Sequence, residues 1–297
     1  MFPDVFAGGA ESRHAPEAQQ IVLTHETFAG SDGIELFARS WRPTTVARGI
    51  VVLVHGFKSH SGLYDWPAQQ LVQSGLAVYA HDLRGHGLSQ GARYHVDHFD
   101  DYVRDLEVFV ALARARERAV PLFMLGHSAG GVVACLYALE HQREMAGLIS
   151  EDLSFELTPA DVALVLLRGV SHLAPHAQLL NLKDEDFSRD AAFVARMQRD
   201  PLVAHTSGTV QLLAELIRAD RLLAENFSRI YLPLLVLHGT DDHVAKLEGS
   251  RHFYDETGSI DRTLNLYQGH YHDLLNDLGK ERVTNDIAQW ITSHIPE

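Results

Sequence analysis

The sequence predicts an α/β protein: a mostly parallel sheet with helices on both faces, interrupted late by a helical insertion. Three observations predict it. A short apolar run, Leu122 to Leu125, leads into Gly126-His127-Ser128-Ala129-Gly130 and then into a small-residue helical stretch, Val132 to Leu139. β-branched runs alternate with helical patterns on both sides of that turn, as parallel strands joined by crossover helices require. That alternation stops near Ser154 and resumes near Leu232.

The elements follow in order. Ile21 to Ala29 and Ile34 to Trp41 alternate or run apolar around Ser31-Asp32-Gly33, a turn signal, and so predict a hairpin ending at Arg42-Pro43. Gly49 to His55 is a continuous β-branched run, expected of a strand buried on both faces. It ends in His55-Gly56-Phe57. Tyr64 to Ser74 reads as a helix and Leu76 to His81 as a strand. The loop Asp82 to Ser89 contains two glycines but neither a Lys-Ser/Thr pair nor a Gly-x-Gly-x-x-Gly pattern, so it reads as a rigid loop near the serine turn rather than a phosphate site. Phe99 to Ala119 carries Val103, Leu106, Val110 and Leu112 at helical spacing. Met145 to Ser150 reads as a strand. From Ser154 to Arg229 the pattern is helical, with segments at Ala160 to Leu173 and Thr209 to Leu223, breaks at Pro159, Pro175 and Pro201, and no evident strand. Strand Leu232 to Gly239, helix Ala245 to Thr257, strand Arg262 to Tyr267 and helix Lys280 to His294 complete the chain. The division expected is a loose tail over 1–20, a core over 21–153 and 230–297, and a helical lid over 154–229.

A length of 297 residues suits one large domain carrying an insertion, and 46% hydrophobic with 22% charged residues is ordinary for a globular chain. The single cysteine, Cys135, excludes an intramolecular disulfide and reads as a packing residue. Met1 to Gln20 lacks the basic start and apolar core of a signal peptide, and no apolar run is long enough to span a bilayer. A formal charge of −14 disfavours nucleic acid and anionic membrane surfaces as partners. These features suggest a cytoplasmic protein without stable membrane insertion. Nineteen histidines invite a metal reading, but no His-Glu-x-x-His is present and His95-x-x-His98 is the nearest pair, so no metal is expected.

The chemistry centres on Ser128. A nucleophile on a tight strand-to-helix turn needs small neighbours two residues away on each side, which Gly126 and Gly130 supply. A serine hydroxyl is a weak nucleophile unless an imidazole takes its proton and a carboxylate orients that imidazole. Two loops after the insertion offer partners: Asp241 and Asp242 in one, His270 and His272 in the next. The order serine, acid, histidine is that of the α/β-hydrolases. Glu151 and Asp152, after the strand that follows the serine helix, are a rival source of the acid, a pair of solvated loop carboxylates, or groups that recognise a positive or hydroxylated substrate.

Several motifs together resemble the monoacylglycerol lipase branch of the α/β-hydrolases, grouped with the serine aminopeptidase-like enzymes. They are His55-Gly56-x-x-x-His60-Ser61-Gly62-x-Tyr64, Asp82-x-Arg84-Gly85-x-Gly87-x-Ser89, Gly126-His127-Ser128 and Asp200-Pro201-Leu202. The resemblance implies an α/β-hydrolase fold with a mostly parallel eight-stranded sheet and a helical lid. It implies Ser128 as nucleophile, Asp242 as acid and His272 as base, with the amides of Phe57 and Ala129 as the oxyanion hole. His55, Glu151 and Asp152 are candidate substrate contacts. Ser59 and Leu63 stand where the monoacylglycerol lipases usually carry Glu and Arg, so a glycerol head need not be the group recognised.

The activity implied is that of a serine carboxylic-ester hydrolase acting on monoacylglycerol-like or other medium acyl esters, with no cofactor or metal. An amidase or aminopeptidase is the enzymatic alternative, and a non-catalytic ligand-binding homologue is the alternative of another class. Acyl chain length, leaving group and oligomeric state are left open.

Overall fold

A computed structural model of the chain describes residues 19–153, 175–180, 182–203 and 206–296. The expected tail and the helix expected at Ala160 to Leu173 lie outside these residues, apart from the last two positions of the tail.

The main sheet begins with β1 (Ile21–Ala29) and β2 (Glu35–Pro43), the expected hairpin, paired antiparallel with Phe28 opposite Leu36. β3 (Gly49–Val54), α1 (Asp65–Gln73), β4 (Leu76–His81), α2 (Asp100–Arg116), β5 (Leu122–His127), α3 (Ala129–His141) and β6 (Gly147–Glu151) follow. The insertion contributes β7 (Gln178–Leu180), α4 (Ala191–Arg199), β8 (Gly208–Thr209) and α5 (Val210–Ala224). β9 (Leu234–Gly239), α6 (Leu247–Glu256), β10 (Arg262–Tyr267) and α7 (Lys280–Ser293) close the chain.

Eight strands form one sheet in the order β1-β2-β4-β3-β5-β6-β9-β10. β2 pairs antiparallel with β4, and every pairing from β4 to β10 is parallel. β3, β4, β5, β6 and β9 are buried at every residue, which is why they read as continuous apolar runs rather than as alternations. Their side chains still divide between faces. Ile50, Val52 and Val54 join a core built with α2, α3 and α5, while Val51 and Leu53 join one built with α1, α4 and α7.

Among its described residues, the insertion differs from its expectation in carrying strand. β7 and β8 form a short antiparallel pair, Gln178 opposite Thr209. Strands of two and three residues are too short to show an alternation. Thr209 ends this pair and caps α5, its hydroxyl accepting from the Leu212 amide at 3.2 Å. Asp190 caps α4 in the same way, accepting from Ala192 at 2.9 Å.

β5 and β3 lie at the centre of the sheet, and the loops at their C-terminal ends converge where a doubly wound sheet offers a crevice.

Candidate active site

Ser128 sits between β5 and α3 at φ 55° and ψ −124°, a strained conformation for a residue with a side chain. The turn closes because its flanks are glycines. A Cβ on Gly130 would meet the Val54 carbonyl at 2.2 Å, and one on Gly126 would meet the Gly130 carbonyl at 2.7 Å. Ser128 is the N-cap of α3: its carbonyl accepts from the Gly131 and Val132 amides at 2.9 and 3.3 Å, which sets the residue at the positive end of the helix dipole.

The loops after β9 and β10 bring the partners. His272 Nε2 lies 2.8 Å from Ser128 Oγ, and His272 Nδ1 lies 2.7 Å from Asp242 Oδ2. With a carboxylate on one side, the imidazole donates its Nδ1–H to Asp242 and accepts the serine proton at Nε2. Asp242 Oδ1 in turn accepts from the amides of Val244 and Ala245 at 2.7 and 2.9 Å. Burial works against the charged carboxylate, but His272 and these hydrogen bonds outweigh it and hold its pKa below the usual value. All three side chains are buried.

The alternatives separate cleanly. Asp241 is exposed, and its amide donates to the His270 carbonyl. His270 lies beside Asp277 instead, with Nδ1 3.6 Å from Oδ2.

Three expected substrate contacts are placed elsewhere. His55 is fully buried, accepts from the Leu83 amide at Nε2 (3.0 Å) and donates from Nδ1 to the Gly56 carbonyl (2.8 Å). Burial lowers its pKa to about 3, so it is a neutral strut under the loop rather than a substrate ligand. Glu151 and Asp152 are fully buried, not solvated. Glu151 Oε1 accepts from the Leu275 amide at 3.1 Å and Asp152 Oδ1 from the Gly239 amide at 2.8 Å. Burial raises both pKa values well above the carboxylate range, assisted by Asp273 at Glu151 and by Asp242 at Asp152. Their side chains brace the loops that carry Asp242 and His272 and bond neither the Ser128 hydroxyl nor the His272 ring, while the Glu151 main-chain carbonyl accepts from the Ser128 amide at 2.9 Å.

Phe57 follows Gly56, where the loop after β3 passes so close to the serine turn that a Cβ on Gly56 would sit 2.8 Å from Ser128 Cβ. Phe57, from the loop after β3, and Ala129, the first residue of α3, thus flank Ser128, and both line one apolar cleft. Leu83, Phe99, Val133 and, from the insertion, Leu212 and Leu216 complete its apolar wall, with His86 and Tyr102. Its empty space, open mouth included, is about 360 Å³.

Two supports were not legible beforehand. His127 Nε2 donates to the His272 carbonyl at 3.2 Å, leaving Nδ1 to accept from the Tyr64 hydroxyl at 2.8 Å. Burial holds His127 well below its ordinary pKa, and the neighbouring His272 imidazole lowers it further. Asp82 accepts from the Ser61 amide and hydroxyl and from the Leu88 amide, which fixes the Asp82 to Ser89 loop against the loop after β3. Both residues stand in the quoted motifs; their partners are set by the fold. Ser59 and Leu63 are buried, Leu63 within an apolar core, so neither offers a polar group to a ligand.

Residues 45–279 match the family described as serine aminopeptidase, S33. A monoacylglycerol lipase of Mycolicibacterium smegmatis is 33% identical over 276 residues, spanning 92% of this chain and 98% of its own. The monoglyceride lipase of Homo sapiens is 32% identical over 270 residues, spanning 89% of each chain. Among solved structures, the monoacylglycerol lipase of Paleococcus ferrophilus aligns with a TM-score of 0.76 at 29% identity, spanning 88% of this chain and all of its own. The chain belongs to the serine aminopeptidase S33 family and resembles monoacylglycerol lipases in sequence and in fold.

Proposed function

We propose that this protein hydrolyses medium acyl esters through an acyl-enzyme, with Ser128 as nucleophile, His272 as general base and acid, and Asp242 orienting His272. One observation carries the reading: the unbroken relay from Ser128 Oγ to His272 Nε2 (2.8 Å) and from His272 Nδ1 to Asp242 Oδ2 (2.7 Å). Ser128 Oγ attacks the ester carbonyl as its proton passes to His272 Nε2. The carbonyl oxygen becomes an oxyanion held by the Phe57 and Ala129 amides, each contributing on the order of 3 kcal/mol of barrier reduction. His272 then protonates the departing alcohol. Water, deprotonated by the same nitrogen, attacks the acyl-Ser128 ester, and collapse releases the carboxylic acid and returns the proton to Ser128.

The cleft beside Ala129 supports an apolar acyl chain as the group accommodated. In this reading the segment 154–229 is a cap whose described helix α5 supplies Leu212 and Leu216 to that cleft. Glu151 and Asp152 are buried and tied to backbone amides, so neither side chain is placed to receive a substrate amine, as the aminopeptidase alternative would use them. Among the described residues no helix is long and apolar enough to cross a membrane, and a cytoplasmic enzyme acting on a small-molecule ester is the proposed setting.

A p-nitrophenyl ester series from acetyl to decanoyl, run beside aminoacyl p-nitroanilides, tests this. Burying a methylene gains about 0.8 kcal/mol, so kcat/KM should rise by up to about fifteenfold with each pair of added carbons until the cleft is full. A flat profile, or faster turnover of the anilides, would show a small or polar pocket instead.

A further inference from the structure

The loop after β3 carries a feature that the proposed chemistry leaves unused. Lys58, next to Phe57, has φ 55°, in the left-handed region that a long side chain adopts only under constraint. Its side chain is nonetheless only 8% exposed. A desolvated ammonium needs partners, and the insertion supplies both. Nζ donates to the Leu182 carbonyl at 2.7 Å and pairs with the Asp184 carboxylate, itself only 11% exposed. The same stretch runs on into the histidine loop. The Phe187 carbonyl accepts from the Asp273 amide at 2.8 Å, and the Phe187 ring meets His272 edge-on at 5.4 Å. Ser188 Oγ donates to the Asn276 carbonyl at 3.0 Å, and Arg189 donates to Asp277 from its amide and Nε at 2.7 and 2.8 Å. A second tie to the loop after β3 lies beyond this stretch, where His60 Nε2 donates to Asp200 Oδ2 at 3.0 Å.

Residues 182–189 therefore touch both halves of the proposed machinery, and the fastening is uneven. Six hydrogen bonds hold the stretch to the histidine loop, those from Ser188 Oγ to Asp277 and from Arg189 to the Leu278 carbonyl included, whereas one ammonium joins it to the loop of the Phe57 amide. We propose that Lys58 is a positioning residue: its ion pair with Asp184 fastens this strap to the loop after β3 and so holds the Phe57 amide in register with Ser128 and His272. The inference rests on the ester-hydrolase reading of the site. An oxyanion donor acts only at the right distance from the developing charge, so a loop loosened by a fraction of an ångström weakens the transition state more than the bound ester.

The test uses Lys58→Met, which keeps the stem and removes the charge, Asp184→Asn, and the double variant. With p-nitrophenyl acetate, each single variant should lose about tenfold in kcat with KM changed less than about twofold. The double variant should lose no more than either single one, because all break the same contact. Hydrogen exchange, read without any substrate, should quicken in peptides covering 55–62 and stay unchanged in 270–277. Unaltered kcat, losses that multiply in the double variant, or a change in KM alone would overturn the proposal. So would unchanged exchange at 55–62 in Lys58→Met, including in a variant whose Tm has fallen. Exchange that quickens as expected in the variants, when the wild-type protein itself cannot turn over the ester, would instead fault the ester-hydrolase reading.

Discussion

Replacing Ser128 with alanine is expected to leave a folded protein that has lost at least about a thousandfold in kcat on the preferred ester, because the covalent route disappears with the hydroxyl. The fold should survive. Alanine keeps the Cβ that the tight turn already accommodates at φ 55°, and the closeness of that turn depends on Gly126 and Gly130, which are untouched. The removed Oγ lies 2.8 Å from His272 Nε2, so the variant forfeits one hydrogen bond, a net stability change of about 1 kcal/mol. Thermal unfolding and steady-state turnover of both proteins check this. Ester turnover near the wild-type rate with an unchanged Tm would remove Ser128 from the chemistry.

The second large effect concerns the carboxylate. Asp242→Asn should lower kcat by about a thousandfold or more, since the amide can present an N–H where His272 Nδ1 needs an acceptor, and the imidazole then turns its proton toward the serine. Asp152→Asn gives the contrast. Its Oδ1 accepts from the Gly239 amide at 2.8 Å, a bond an asparagine oxygen can keep, and burial together with the neighbouring Asp242 raises its pKa, so a neutral side chain suits the site. Activity within about threefold of wild type is expected there, as for a substitution that preserves its hydrogen bond. A dead Asp152→Asn beside an active Asp242→Asn would move the acid to the strand before the insertion.

How much was legible follows from what a sequence encodes. β3, β4, β5 and β9 stood out because burial on both faces demands uninterrupted apolar side chains. The helix ends fell within a few residues of their expected places; α2 was read as Phe99 to Ala119 and runs Asp100–Arg116. β7 and β8 were missed because two or three residues carry no period. At the site, the glycines around Ser128 and the order of the loops were visible as local pattern. The roles of Glu151 and Asp152 were not. Carboxylates are seldom fully buried, so a pair after a strand reads as solvated, and only the return of the 270–277 loop onto β6 shows the amide that Glu151 satisfies. Lys58 and Asp184 are 126 residues apart, and no periodicity in the sequence joins them.

The central claim is that Ser128 forms the acyl-enzyme, and a covalent adduct tests it most directly. A fluorophosphonate reacts at the serine that the relay activates, and peptide mapping by mass spectrometry locates it. The account predicts one adduct per chain, on the peptide containing Gly126 to Gly130 and fragmenting to Ser128, with ester turnover falling in proportion to labelling and no adduct in Ser128→Ala. An adduct on another residue, or unmodified Ser128 in an enzyme whose ester turnover the reagent has abolished, would contradict it.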